Sequence, residues 1–161
     1  MLLLLLKTMP TNSELNQITN FVPISDHLST AGQPTIEQFK AIAAAGYDTI
    51  INLALKTSTN AIENEAEIIA DLEMEYVHIP VEWENPAMAD LEYFFEVMAA
   101  HQDEKVLVHC ALNMRVSAFT YLYRTLKQGV EPQVAQQDLN KVWEPIPTWQ
   151  SFIDRAIAHY S

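Results

Sequence analysis

The residues best suited to chemistry form one short segment that runs from His109 to Ser117. It contains Cys110, the one cysteine of the chain, and Arg115 follows that cysteine after four intervening residues. A loop that opens a helix turns its N–H groups towards one side, and the helix dipole adds partial positive charge, so such a loop attracts anions and favours a thiolate. The planar guanidinium of Arg115 offers paired donors to an oxyanion. The segment therefore predicts an anion-binding site with a cysteine nucleophile.

The neighbours of the cysteine have predicted roles of their own. His109 is expected to orient the loop through its ring N–H groups, and Asn113 belongs to the residue types that tolerate left-handed backbone. The predicted substrate-binding residues are His109, Ala111, Leu112, Asn113, Met114 and Arg115. The alternative interpretation is an inert cysteine that packs as a small hydrophobe. Its position at a strand end, between a histidine and an arginine, favours the reactive interpretation.

Alternating strands and helices must position this loop. A strand over Val106–Val108 leads into the cysteine, and helical periodicity runs from Val116 to Gly129. Other strands are predicted at 21–24, 49–53 and 76–79, and other helices from Thr35 to about Gly46, from Asn60, around Leu91–Met98, at 132–143 and at 148–159. The pattern predicts an α/β fold, with a mainly parallel central sheet and helices on both faces. In such sheets the site lies at the carboxyl ends of the strands, where the Cys110 loop falls.

Two helix starts have capping signals. Thr35 and Gln38 have the spacing of a capping box, with Gly46 at the far end of that helix, and Asn60 with Glu63 is expected to cap the next helix. The acidic cluster Glu63, Glu65 and Glu67 is interpreted as a solvated helix face. Tyr121, Tyr123 and Phe119 have helical spacing and are expected in the core.

The lead-in Val106-Leu-Val-His-Cys110 resembles that of the cysteine-dependent protein tyrosine and dual-specificity phosphatases. The stretches Leu28-Ser-Thr-Ala-Gly-Gln-Pro-Thr35 and Gly46-Tyr-Asp-Thr-Ile-Ile-Asn-Leu53 are similar to a small bacterial phosphatase-like family that is also found fused to sulfur-metabolism domains, and so is the segment from Trp143 to Trp149. The resemblance covers about residues 20–157. It implies the phosphatase-like fold, a phosphate-binding P-loop, hydrolysis of phosphate monoesters through a cysteinyl-phosphate intermediate, and no cofactor or metal.

The loop departs from the phosphatase signature in length. Four residues lie between Cys110 and Arg115, whereas the signature has five, so the ring of N–H groups is smaller. This length is similar to that of the rhodanese-type sulfurtransferases, which carry a persulfide on cysteine. Sulfane-sulfur transfer is therefore the alternative enzyme function, and an inactive phosphate-binding module is the third.

The resemblance also implies a general acid on a loop before the cysteine. No aspartate is present between His78 and Pro86, so Glu82 or Glu84 is expected to serve, the alternative being two solvated loop acids. Ser117 is expected either to donate a hydrogen bond to the Cys110 sulfur or to satisfy a free N–H at the helix start.

Composition sets the remaining expectations. The chain has 161 residues, of which 49% are hydrophobic, and a net charge of -12, which argues against nucleic-acid binding and against a basic membrane-surface helix. His27, His78, His101 and His159 lack metal-ligand spacing. Residues 1–19 are expected to be a poorly ordered extension and residues 20–161 a single domain, and the five-leucine run near the N-terminus is shorter than a signal-peptide core. The expected protein is cytoplasmic and acts on a phosphorylated small molecule or phosphoprotein.

Overall fold

The computed structural model describes residues 12–161 as a central sheet between two layers of helices. The strands are β1 (Val22–Pro23), β2 (Leu28–Ala31), β3 (Thr49–Asn52), β4 (Glu75–His78) and β5 (Val106–His109). The helices are α1 (Asn12–Asn16), α2 (Ile36–Ala44), α3 (Glu65–Asp71), α4 (Met88–Ala100), α5 (Met114–Lys127), α6 (Pro132–Val142) and α7 (Pro147–His159). Each of these helices is too short or too polar to span a lipid bilayer.

Strand order in the sheet is β1-β2-β5-β3-β4. Only the short edge strand β1 is antiparallel, and the other pairs are parallel. The two neighbours of β5 end level with it, because Ala31 of β2 and Asn52 of β3 both pair with His109. The predicted α/β class with a mainly parallel sheet is confirmed, and the Cys110 loop begins just beyond the end of the central strand.

The sheet buries both faces. Along β5, Val106 and Val108 face a layer formed by α4 to α7, whereas Leu107 faces a second layer formed by α1, α2 and α3. Side chains of successive strand residues point to opposite faces, so a continuous apolar run is what a strand covered on both sides requires. Cys110 belongs to the first of these layers.

The capping box of α2 is confirmed. The Thr35 hydroxyl accepts from the Gln38 N–H at 3.1 Å, and the Gln38 side chain accepts from the Thr35 N–H at 2.9 Å. Gly46 adopts φ +90° just beyond the helix, as the glycine at that end predicts.

One strand was missed and one helix start was predicted wrongly. Strand β2 was missed, because Ser29 and Thr30 interrupt its apolar pattern although both are buried. Helix α3 begins at Glu65 rather than after Asn60, whose side chain donates instead to the Ala111 carbonyl at 3.1 Å. On the N-terminal side of the proposed domain boundary at residue 20, α1 and the residues after it bring Leu15 and Ile18 into the core, and the boundary itself stays a prediction. Residues 1–11 of the predicted extension, with the leucine run, lie outside the described residues.

Candidate active site

Cys110 follows directly after the central strand. Its N–H donates to the Ala31 carbonyl at 3.3 Å, which continues the pairing of β5 with β2 for one residue. The residue is 1% exposed and packs in the layer formed by α4 to α7. The thiol therefore has a fixed position at the carboxyl edge of the sheet, where ligands of parallel α/β sheets bind.

The carbonyl groups of the loop after Cys110 are held from outside. The Cys110 carbonyl accepts from His109 Nδ1 at 3.2 Å, the Ala111 carbonyl from the Gln33 N–H at 3.0 Å, and the Leu112 carbonyl from Asn20 Nδ2 at 2.9 Å. In a trans peptide group the C=O and the N–H point in opposite directions. The N–H groups of Ala111 and Leu112 therefore point away from the donors that hold the Cys110 and Ala111 carbonyls.

Asn113 makes the turn from the loop into α5. Its backbone is left-handed, with φ 68°, and its buried side chain donates to the Asn20 carbonyl at 2.8 Å and to the Thr30 hydroxyl at 3.0 Å. Helix α5 begins at the next residue, Met114, so its first N–H groups have no intrahelical acceptor. These N–H groups follow those of the loop in the chain, on the side of Arg115.

Gly32 allows the loop to approach β2. A Cβ at this position would lie 2.8 Å from the Ala111 carbonyl oxygen and 3.0 Å from Thr19 Cγ2. The first of these atoms belongs to the backbone and cannot rotate away. The absence of a side chain at Gly32, in the Gly-Gln-Pro stretch, therefore leaves the space that the Cys110 loop occupies.

Arg115 connects the loop to the segment that carries the predicted acids. Its guanidinium is buried and donates from Nη1 to the Val81 carbonyl at 3.0 Å. Glu82 and Glu84 follow Val81 and are both exposed. The fold thus brings the acid-bearing segment against the arginine, while the assignment of either glutamate as the general acid stays a prediction.

Asp90 is a third carboxyl group in this region, which sequence reasoning missed because it lies beyond the loop, in the first turn of α4. Burial raises the pKa of Asp90, and the neighbouring Glu82 carboxylate raises it further. A raised pKa keeps more of the carboxyl in the protonated form that a general acid needs.

Ser117 bonds differently from the first expectation. Its hydroxyl donates to the Met114 carbonyl at 2.8 Å and accepts from Trp143 Nε1 at 3.0 Å. A serine one turn into a helix reaches the carbonyl three residues back, so its proton is directed to the backbone and not to the cysteine sulfur. The expected bond to sulfur is corrected accordingly. Trp143 also packs on Trp83, with ring centroids 5.4 Å apart, and so joins α5 to the acid-bearing segment.

A buried polar cluster lies under the loop on the opposite face of the sheet. Glu65 accepts from His109 Nε2 at 2.7 Å with one carboxylate oxygen and from Gln33 Nε2 at 2.8 Å with the other. The prediction of a solvated face is wrong for Glu65, which is 4% exposed, although Glu63 and Glu67 are exposed. No local pattern reveals this cluster, because its members are 32 and 44 residues apart in the chain.

Electrostatics indicate that Glu65 is ionised. Burial raises the pKa of its carboxyl, but the hydrogen bond and charge of His109, aided by Gln33 and His78, outweigh burial, and the pKa lies below the usual value. The pKa of the Tyr76 phenol is shifted in the opposite direction. Burial and the nearby Glu65 carboxylate raise the pKa of Tyr76 to about 12.

The opposite edge of the sheet holds a second acidic group. Ligand atoms of Glu75, His101 and Glu104 lie within 4.8 Å of one another. Spacing along the sequence did not indicate this trio. Its atoms already bond locally, since Glu104 accepts from the Thr49 hydroxyl at 2.7 Å and contacts His101 Nδ1 at 2.9 Å.

Together, the sheet order, a cysteine at the end of its central strand and an arginine at the start of the following helix define the superfamily of dual-specificity and tyrosine phosphatase-like proteins. Residues 12–150 match the family described as the dual-specificity-type phosphatase fused to NAD+ kinase, and the chain belongs to this family. The resemblance stated from the sequence is confirmed at the level of the superfamily.

Solved structures agree with this assignment. A DUF442 protein from Shewanella putrefaciens CN-32, described as a candidate phosphatase, is 34% identical, with a TM-score of 0.84 over 94% of this chain and 99% of that one. Pseudomonas aeruginosa TpbA in complex with phosphotyrosine has 14% identity and a TM-score of 0.68, over 88% and 90% of the two chains. The PP-IP phosphatase SIW14 of S. cerevisiae, in complex with citrate, has 15% identity and a TM-score of 0.69, over 85% of each. The last two show the fold alone. No curated protein matches the chain.

Proposed function

We propose that this protein hydrolyses phosphate monoesters, with Cys110 as the nucleophile and Arg115 as the oxyanion ligand. The observation that carries the proposal is the orientation of the loop between them, whose carbonyls are held from outside by His109, Gln33 and Asn20. The N–H groups of Ala111 and Leu112, on the other side of these peptides, and those at the start of α5 are the donors that we assign to the phosphate dianion. The four-residue spacing thus supports an anion cradle despite being one residue shorter than the usual signature.

The proposed reaction has two displacements at phosphorus. The Cys110 thiolate attacks phosphorus, the S–P bond forms, and the P–O bond to the leaving group breaks as a loop carboxyl group donates its proton to that oxygen. Water then attacks phosphorus and gives a proton to the carboxylate, the S–P bond breaks, and inorganic phosphate and the thiolate are regenerated. The N–H groups of the loop and Arg115 stabilise the charge that develops on the equatorial oxygens.

Three carboxyl groups are candidates for the acid. Glu82 and Glu84 lie next to Val81, whose carbonyl Arg115 holds, and Asp90 has the raised pKa. We expect the variant that lacks the true acid to lose activity mainly towards esters with poor leaving groups. Activated aryl esters need less protonation and should lose less, which identifies the acid without a structure of the complex.

The substrate class is a phosphorylated small molecule or a phosphoprotein. Support comes from relatives of the same fold: TpbA is described in complex with phosphotyrosine and SIW14 as a phosphatase of PP-IP compounds. The net charge of -12 argues against long-range attraction of polyanionic substrates, so the cradle itself must supply the affinity.

The test is hydrolysis of 4-nitrophenyl phosphate by the wild-type protein and by Cys110→Ser and Arg115→Lys variants. We expect turnover that Cys110→Ser abolishes and that Arg115→Lys lowers by about 10²–10³, because an ammonium cannot replace the planar fork. Ser151→Ala, an exposed change on α7, is the matched control and should not change the rate. Transfer of sulfur from thiosulfate to cyanide without phosphatase activity would replace the proposal with the sulfurtransferase function. Binding of phosphate without either reaction would establish the inactive module.

A further inference from the structure

The buried contact between His109 and Glu65 joins the residue before the nucleophile to a carboxylate on another element. His109 is fully buried, and its ring packs edge-on against Phe39, with centroids 5.8 Å apart. Its Nε2 faces Glu65 Oε2 at 2.7 Å and its Nδ1 faces the Cys110 carbonyl at 3.2 Å. Both partners of the ring are acceptors when Glu65 is ionised. Each ring nitrogen then faces an acceptor, so both nitrogens are placed to donate a hydrogen bond.

The surroundings of Glu65 favour its ionised form. Gln33 Nε2 donates to its second oxygen, so the carboxylate has a donor on each side. The other titratable groups near this cluster are His78, whose Nε2 donates to the Ala54 carbonyl at 2.6 Å, and the Tyr76 phenol, which accepts from Asn52 Nδ2 at 3.0 Å. On the far side of the loop the charged group is Arg115, directed to the Val81 carbonyl. A buried ion pair that satisfies its own donors and acceptors is the arrangement in which burial of two charges is tolerated.

We propose that Glu65 is a positioning residue for the nucleophile: it keeps His109 in the imidazolium form, and this cation, held on the Cys110 carbonyl, supports the Cys110 thiolate and the inward orientation of the first loop N–H. Glu65 touches neither substrate nor sulfur, and it acts through His109. The inference rests on the proposed function, since it assigns Cys110 as the nucleophile. It goes beyond that function in giving a carboxylate on α3 control over the ionisation of the thiol.

The sequence allows a direct spectroscopic test, because Cys110 is the one thiol of the chain. The thiolate absorbs near 240 nm, and the spectrum of Cys110→Ser supplies the baseline. At pH 6.5 we expect Glu65→Gln to lower the thiolate-to-thiol ratio about tenfold relative to wild type, the effect of losing one nearby cation. Glu65→Asp, which retains the charge, should restore part of the ratio, and Glu67→Gln on the exposed face of the same helix should change nothing.

A double-mutant cycle separates this role from a merely structural one. If Glu65 acts through the imidazolium, Glu65→Gln made in a His109→Asn background will leave the thiolate ratio unchanged. An equal tenfold loss in that background would overturn the proposal. An unchanged ratio in the folded single variant would also overturn it.

A second measurement uses the unmodified protein and does not depend on the folding of a variant. Nitrogen-15 spectra of histidine-labelled protein at pH 7 should show both ring nitrogens of His109 protonated, with the signal assigned by its loss in His109→Asn. A neutral ring would refute the proposal. Neither experiment contains a phosphate ester, so the two proposals can fail separately. A failed hydrolysis assay together with a positive result here would refute the proposed reaction and retain the role of Glu65. Successful hydrolysis together with a negative result here would retain the reaction and refute the role of Glu65.

Discussion

Asn113 offers the sharpest test of how the loop is held, because its backbone and its side chain contribute separately. The side chain donates to the Asn20 carbonyl and to the Thr30 hydroxyl, and each bond contributes about 1 kcal/mol to the free energy of unfolding. In Asn113→Ala both bonds are lost, and alanine at φ 68° adds about 1–2 kcal/mol of backbone strain. Loss of the buried Oδ1, which has no hydrogen-bond partner among the described residues, offsets part of this cost. We expect Asn113→Ala to lower the free energy of unfolding by about 3 kcal/mol.

Asn113→Gly is the matched variant, since it loses the same two bonds without the strain. Glycine also gives the unfolded chain more conformational entropy, which lowers the stability of Asn113→Gly and offsets part of the relief of backbone strain. Asn113→Gly should therefore be more stable than Asn113→Ala by about 1 kcal/mol. Urea denaturation followed by circular dichroism measures all three proteins, and hydrolysis of 4-nitrophenyl phosphate reports the loop. Equal stability of Asn113→Ala and wild type would refute the account of the anchors. An Asn113→Gly variant less stable than Asn113→Ala would refute the argument from backbone conformation.

Three further predictions concern neighbouring groups. Gly32→Ala should lower the free energy of unfolding, measured in urea, by about 1–3 kcal/mol and should also lower turnover, because the new Cβ would lie 2.8 Å from the Ala111 carbonyl oxygen. Wild-type stability and wild-type turnover in this variant would show that the loop can move aside. The pKa of Tyr76 is about 12 in the folded protein against an ordinary value of 10.0, so it contributes stability that is present below pH 10.0 and is lost as the pH rises towards 12. In thermal melts at alkaline pH, the stability of wild type should therefore fall more steeply with pH than that of Tyr76→Phe. Parallel curves for the two proteins would contradict this prediction. Phosphate binding should draw Arg115 away from the Val81 carbonyl and change the tryptophan fluorescence of the wild-type protein. Arg115→Lys should show a much smaller fluorescence change on addition of phosphate. Equal fluorescence changes in the two proteins would place the anion elsewhere.

The local parts of the site were predictable from the sequence because they depend on neighbours in the chain. An apolar run into Cys110 and helical spacing after it define a strand, a loop and a helix, and the structure has β5 and α5 in those places. The capping box at Thr35 is likewise a pattern of four consecutive residues. Such patterns need no knowledge of the tertiary fold.

Long-range polar contacts were not predictable in the same way. Glu65 looked like its exposed neighbours, and only the packing of α3 against the sheet turns it towards His109. Asn60 had the type and spacing of a helix cap, yet its better partner is a loop carbonyl 51 residues away. A polar residue has many acceptable partners, and burial, which selects among them, is a property of the whole fold.

The most direct test of the central claim is to capture the intermediate. The protein is mixed with 4-nitrophenyl phosphate, quenched in acid during turnover, digested and analysed by mass spectrometry, with Cys110→Ser treated in parallel. We predict a phosphoryl group on the peptide that contains Cys110, which disappears once the substrate is exhausted and is absent from the variant. Turnover in which the peptide stays unmodified, or in which Cys110→Ser retains the wild-type rate, would contradict the assignment of Cys110 as the nucleophile.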